Sequence, residues 1–513
     1  MDVTRATAAT RVDENGLVNY AEIIGDELVT NGDFELNSDW NNFSTPTTSE
    51  QSTEQSHTGT YSWKVIADAT QEGIFSPNNF SITNGNSYSV SLWIYSVSGN
   101  SIKSGLNNTN VSVFTERTVI AGQWTNINYE ATATSTGASY ISILSQNSLQ
   151  FFVDNVSVKE LTRDNVPRID YTGGGCPHIL AEPQRRNLVT YSEVISNLSL
   201  LTGGAGTYTI TDNYTNSPEG VQNASRVQMS IVDTNDGANY SLIALNSSMT
   251  NGVTREISFY AKSLTGLNQE VLVYWSTAKQ IVTLTNDWQR FEISATSDNS
   301  GAVLIGTRGG TTQYYAGGDA NLDFALWGLQ VEDDGSGGGS SYATSYIPTS
   351  GSTVTRNQDI FTRDGIGSLI NSTEGVLFVE MAALSDDGTN RSITLSDGST
   401  NNIIQILFSS VSNTIRFIIR VGGVGGDNLD KSTSTYTVTD FNKVALKWKQ
   451  NDAQVWINGT QLGSPDTNSD VPTGLNDLSF EYLTVGNNFV GKVKQLQVYK
   501  TALTDTQLAA LTS

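Results

Sequence analysis

Residues 88–99 read YSVSLWIYSVSG, and residues 255–266 read REISFYAKSLTG. In the first stretch Tyr88, Val90, Leu92 and Ile94 fall on one side of an extended chain. Ser89, Ser91, Trp93 and Tyr95 fall on the other, because side chains alternate residue by residue along a strand. One apolar face and one mixed face mark a strand with one side in a sandwich core. The alternation recurs in SYISIL (139–144), VLVYWS (271–276) and AQVWING (453–459), with turns such as Asn84-Gly85 and Asn458-Gly459 between strands. Helical periodicity is confined to LTDTQLAALT (503–512), where Thr504 or Asp505 would cap a short helix and Leu508 would pack inward. The fold class is therefore all-β, built as tandem β-sandwiches.

Working outward, an internal repeat organises the first two thirds of the chain. LVTNGDFE (28–35) pairs with LVTYSEVI (188–195), and GQWTNINYEATATSTGASYISI (122–143) with NDWQRFEISATSDNSGAVLIG (286–306). LQFFVDNVSVKEL (149–161) pairs with NLDFALWGLQVED (321–333), in the same order and at similar spacing. This predicts a lead-in at 1–27, domains at 28–162 and 188–333, joints at 163–187 and 334–359, and a third β domain at 360–513. The core of the second joint, DDGSGGGSS, reads as a flexible Gly/Ser tract. VTRATAATRVDENG (3–16) and VTRNQDIFTRDGIG (354–367) echo each other and read as equivalent strands that precede or edge a domain.

The chain has 513 residues, 28 Lys and Arg against 51 Asp and Glu, and a net charge of −23. That excludes nucleic acid and anionic lipid as bulk electrostatic partners. No apolar run approaches the ~18 residues of a membrane helix, so no membrane insertion is expected. The single Cys176 cannot form an intrachain disulfide and, beside Pro177, reads as a packed thiol. The polar start MDVTRATAATRVDENG is unlike a signal peptide.

The phrases VTRATAATRVDENGLV, PRIDYTGGGCPHILAEPQRRNLVTYSE and TSYIPTSGSTVTRNQD resemble those of bacteriophage tail-fibre and virion structural proteins. NGDFE with the closing VDNVSVKEL resembles carbohydrate-binding jelly rolls. KVALKWKQNDAQVWINGTQLG and VGKVKQLQVYKTALTDTQLAALTS resemble laminin-G/concanavalin-like sandwiches. The resemblance implies two jelly rolls followed by a laminin-G/concanavalin-like domain. It also implies an external, extracellular place on the virion, other virion proteins and host-surface polysaccharide as partners, and a homo-oligomer with a trimer favoured. In the resembled jelly rolls a structural Ca²⁺ is held by residues matching Glu35 and Asp154. Asp323 is the expected counterpart of Asp154 in the second copy, where Val194 and Ile195 replace the Phe-Glu of NGDFE.

The mixed face of 88–96 suits a sugar, since indole and phenol rings stack on C–H groups while hydroxyls bridge sugar hydroxyls. Trp93, Tyr95 and Ser91, with Tyr260 on the matching face of the second copy and Tyr274 as a further position, are the expected glycan contacts. Packing under a loop or against a neighbouring subunit is the competing role for these rings. Trp124 and Trp288 begin equivalent strands and read as structural. His57 and His178 lie beside turn residues and read as solvated or hydrogen-bonded loop histidines, and no catalytic residue is assigned. H-E-x-x-H and G-x-S-x-G are both absent. The expected function is non-catalytic adhesion to host glycans. A ligand-free decoration protein, a capsule depolymerase and a host cell-surface adhesin are the alternatives.

Overall fold

The computed structural model describes all residues except 78–79, 249, 276–277, 297–300, 311–315, 424–427 and 483–486. The chain forms two compact units, one of residues 22–163 and one of residues 1–21 together with 164–513. The architecture is all-β throughout, as the alternation predicts. The single α-helix among the described residues is Asp505–Thr512, closed by a Thr504–Gln507 capping box with Leu508 buried. It is neither long nor apolar enough to cross a membrane.

The 22–163 unit is one sandwich. One sheet orders Trp124–Thr132, Ser87–Ser96, Leu149–Thr162, Ser62–Ala67 and Thr48–Ser52, with Ile23–Glu27 also paired to Leu149–Thr162. The facing sheet orders Glu116–Val119, Asn100–Leu106, Ile141–Ser145, Gly73–Phe75 and Asn41–Phe43. Val65, Ile74, Val90, Leu92, Ile102, Ile143, Phe151 and Val153 meet between them with no surface left in water.

The larger unit holds two more sandwiches. In the first, Thr254–Ser263 lies between Gln289–Thr296 and Asn321–Asp333, and the strand Gln269–Trp275 belongs to the facing sheet. In the second, both sheets have seven strands around Leu377, Ile393, Ile404, Phe417, Leu446 and Trp448. Strands from outside 360–513 complete those sheets: Asp2–Thr4 pairs with Ile360–Arg363, and His178–Ala181 pairs with Gly491–Tyr499. The V-T-R echo does supply edge strands, Asp2–Thr4 in one sheet and Val354–Arg356 in another. Asn458 and Gly459 both take positive φ, 45° and 79°, as a two-residue hairpin turn demands.

Several residues expected in the lead-in and the joints are interior. Arg5, Arg168 and Arg356 come from VTR (3–5), PRID (167–170) and VTR (354–356), and all three are buried. They converge on two buried carboxylates, Glu182 and Asp359. Arg5 meets Asp359 at 2.6 Å, Arg356 meets Glu182 at 2.8 Å, and Arg168 bridges both acids. Burial alone would raise Glu182, but Arg168 and Arg356 outweigh it and hold the carboxyl well below the usual carboxylate range. In the Gly/Ser tract, Arg255 donates to the carbonyls of Gly337 and Gly338. Cys176, expected to be packed, is exposed.

Glu256 stands opposite Glu332 on the neighbouring strand, and both are buried. Burial pushes Glu256 up to about 7, with the like charge of Glu332 adding to it. The fold therefore binds this proton more tightly than the unfolded chain does. The contribution is favourable below the ordinary Glu range and is lost as pH rises from about 4.5 to about 7. Glu256→Gln is expected to flatten that slope in urea unfolding and to raise stability at pH 8 by about 2–3 kcal/mol.

Candidate functional site

Ser87–Ser96 is central in its sheet, and burial alternates along it: Tyr88, Val90, Leu92 and Ile94 are wholly buried, while Ser89, Ser91, Trp93 and Tyr95 keep part of their surface. The register sets Trp124 opposite Tyr95, Asn126 opposite Trp93 and Asn128 opposite Ser91. The Tyr95 ring lies 5.8 Å from Trp124 on one side and 6.1 Å from Phe152 on the other. Trp93, Tyr95 and Ser91 thus share one face, as their spacing predicts. Two further residues belong to it. Trp124, which reads as structural, is half-buried beside Tyr95. His57 lies flat on Trp93, ring centroids 3.8 Å apart at 17°, and 5.7 Å from Trp124. One side of the Trp93 indole is therefore covered, and Tyr95 and Trp124 carry the rest of the aromatic surface.

The loop that delivers His57 is clasped by the two carboxylates expected to bind calcium. Asp154, fully buried, accepts the N–H groups of His57 at 2.7 Å, Thr58 at 3.1 Å and Asn155 at 2.8 Å. Glu35 Oε1 accepts those of Thr60 at 2.7 Å and Tyr61 at 2.9 Å. Burial pushes Asp154 up, and the three N–H bonds oppose that. A β-bulge aims it: the register with Ser87–Ser96 slips between Ser91 and Trp93, and Asn155 adopts φ 49°. Among the described residues no group of three or more His, Cys, Asp or Glu side chains could hold a metal. An ion here would draw on the remaining lone pairs of these clasped carboxylates, Glu35 Oε2 among them, and on backbone oxygens.

The second copy has the same bulge at Gly328, φ 66°, between Ser258 and Tyr260. Tyr260 there opposes Trp327, as Trp93 opposes Asp154. Trp327, not Asp323, is therefore the counterpart of Asp154, and Asp323 instead pairs with Arg226 at 2.5 Å. The face differs too. Tyr260 and Trp288 pack with Trp327, Tyr346, Ala224 and Val18, so the lead-in hairpin, Thr10–Val12 paired with Val18–Tyr20, and the second joint cover what the first copy leaves open. Tyr274 is on the facing sheet, 9% exposed, packed with Leu242 and Leu272. It shares no face with Tyr260, and both lie in a different compact unit from Ser91, Trp93 and Tyr95. His178 is not a loop residue: it starts a strand, is 4% exposed, and has Asp170 3.5 Å from its Nε2.

Residues 26–147 match the family model described as a carbohydrate binding domain. The first sandwich is a carbohydrate-binding-module-like domain. Residues 378–509 match the concanavalin A-like lectin/glucanases superfamily, so the last sandwich is laminin-G/concanavalin-like. Among solved structures, the tandem CBM22 domains of Paenibacillus barcinonensis Xyn10C are 12% identical over 60% of this chain and 97% of theirs, with a TM-score of 0.25. The CBM40 of the Ruminococcus gnavus IT-sialidase is 16% identical over 30% of this chain and 98% of its own, with a TM-score of 0.24. Domains LG4-5 of mouse laminin alpha1 are 9% identical over 54% of this chain and 94% of theirs, with a TM-score of 0.20. No curated protein matches the chain.

Proposed function

We propose that this chain is a non-catalytic glycan-binding protein, an external appendage of a bacteriophage virion that attaches to host-surface polysaccharide. The observation that carries the binding part is the open aromatic face of the first sandwich, with Trp93, Tyr95 and Trp124 flanked by Ser91, Asn126 and Asn128, in a carbohydrate-binding-like domain. Rings there offer stacking surface, and the hydroxyls and amides offer hydrogen bonds to sugar hydroxyls. The phage part rests on the resembled phrases around the V-T-R segments, and a trimer on the virion belongs to the same proposal. Light scattering on the full chain reads the oligomer, with a monomer counting against it.

The binding test is a glycan array with the full chain, followed by titration of the best ligand. Trp93→Ala with Trp124→Ala is expected to weaken binding at least tenfold, a loss of about 1.4 kcal/mol, while the 22–163 unit still unfolds cooperatively. Unchanged affinity, or collapse of the unit, would remove this face from consideration.

Calcium held by Glu35 and Asp154 is part of the proposal. The free oxygen of Glu35 lies on the clasp of the 57–61 loop, and a cation bound only to the folded unit would stabilise it. The expected result is a lower melting temperature for the 22–163 unit in EDTA, restored by calcium and abolished by Glu35→Gln. An EDTA scan that overlays the calcium scan would end that idea.

A further inference from the structure

Inside the larger unit, the first joint, the lead-in hairpin and the second joint enclose a cavity of about 320 Å³. Arg11, Asp170, His178, Tyr260, Arg290 and Tyr342 are among its walls. Its volume is at the small end of ligand pockets, which run from about 300 to 1,000 Å³. We propose that it is a second binding site, for a neutral, hydroxyl-rich ring of monosaccharide or disaccharide size.

Charge argues for neutrality. The walls carry three cations, Arg11, Arg290 and Lys492, and three carboxylates, Asp170, Glu182 and Glu292. The acids are already engaged: Arg290 pairs with Glu292 at 3.0 Å, and Glu182 pairs with Arg168 and Arg356. Asp170 accepts the N–H groups of Val12 at 2.9 Å and Thr172 at 2.8 Å. A cationic ligand would find Glu182 and Glu292 already in ion pairs and Asp170 engaged by backbone N–H groups, and an anionic ligand would have to lie among those three carboxylates as well as beside Arg11 and Lys492. A hydroxyl would not be penalised, because it donates and accepts at once.

His178 makes the site more than a gap in packing. It is 4% exposed, it lines the cavity, and its Nε2 has no hydrogen-bond partner among the described residues, the nearest carboxylate oxygen being that of Asp170 at 3.5 Å. Unpartnered buried polar atoms are costly and rare. Burial pulls His178 down to about 4, so the ring is neutral at pH 7, with one nitrogen donating and the other accepting. The phenols of Tyr260 and Tyr342 add ring surface beside it. The site is built from residues in segments 10–18, 170–182, 260–292, 342–346, 384 and 492, which lie far apart in sequence and outside the face proposed above.

The test uses the full chain carrying Trp93→Ala and Trp124→Ala, so that the two binding proposals fail separately. Calorimetric titration with neutral mono- and disaccharides of glucose, galactose, mannose, xylose and N-acetylglucosamine is compared with glucuronate and inorganic phosphate. The expected result is one site per chain for at least one neutral sugar, weakened tenfold or more by Tyr342→Ala and by His178→Ala. Ala343→Phe, which fills the cavity from a position in its wall, should abolish it without removing a polar group. Absence of binding by every neutral sugar, tighter binding of glucuronate or phosphate, or variants that bind as their parent does would each overturn the proposal.

Discussion

Arg168→Met is expected to destabilise the unit of residues 1–21 and 164–513 by about 3–5 kcal/mol, the usual result of removing one partner from a buried ion pair. Arg168 has no exposed side-chain surface and bridges Asp359 and Glu182, while donating to Ser345 Oγ at 2.7 Å. Without it, Glu182 keeps Arg356 and Asp359 keeps Arg5. Each acid nonetheless loses a charge-assisted bond in a site closed to water, and the methionine cannot replace it. The surface pair Arg416–Asp430, with side chains 35% and 44% exposed, is the control. Arg416→Met should cost under about 1 kcal/mol, because exposed pairs are screened and loosely held. The measurement is urea unfolding in which the two units are followed separately. A loss below about 1 kcal/mol for Arg168→Met would mean that Arg5 and Arg356 alone suffice to hold the two buried acids.

The second large effect is Trp448→Ala, expected to cost about 3–5 kcal/mol in the last sandwich. Trp448 is wholly buried in that core, and its indole N–H donates to the Asn371 carbonyl at 3.0 Å. A Cβ built on Gly375 would fall 2.3 Å from its ring, so the glycine is what lets the indole lie against the strand. Alanine here leaves a cavity and an unpaired carbonyl together. Trp456, 8% exposed on the opposite face with Phe378, Ala445 and Leu508, is covered by the C-terminal helix. Trp456→Ala should therefore loosen the helix and cost less. A thermal melt of both variants gives the ranking, and equal shifts would contradict this division of the core.

The alternation in 88–96 is read correctly because strand period is a local property of the backbone, and an apolar face has only one place to go in water. The same reasoning places Val444, Leu446 and Trp448 in one core. It fails at Lys447, on the opposite side of that strand, which is 4% exposed and paired with Asp452 at 2.7 Å. The reason is distant: the face it occupies is roofed by chain from elsewhere, including the helix at 505–512.

Thus the sequence by itself determined the all-β class, the internal repeat, the short capped helix and the side of the strand on which Ser91, Trp93 and Tyr95 stand. These follow from interactions between residues a few positions apart. Tertiary structure alone decided which mixed face stays open. Val18 and Tyr346 cover Tyr260, whereas His57, held by Asp154 from 97 residues away, covers only one side of Trp93. It also decided that Trp327, not Asp323, stands where Asp154 stands, because the equivalence is fixed by the pairing across strands, Tyr260 with Trp327 and Trp93 with Asp154, and no local pattern announces that register. The burial of Arg5, Arg168 and Arg356 has the same origin. Each reads as a charge in a linker until long-range pairing brings Glu182 and Asp359 to it, and only paired charges are retained in an interior.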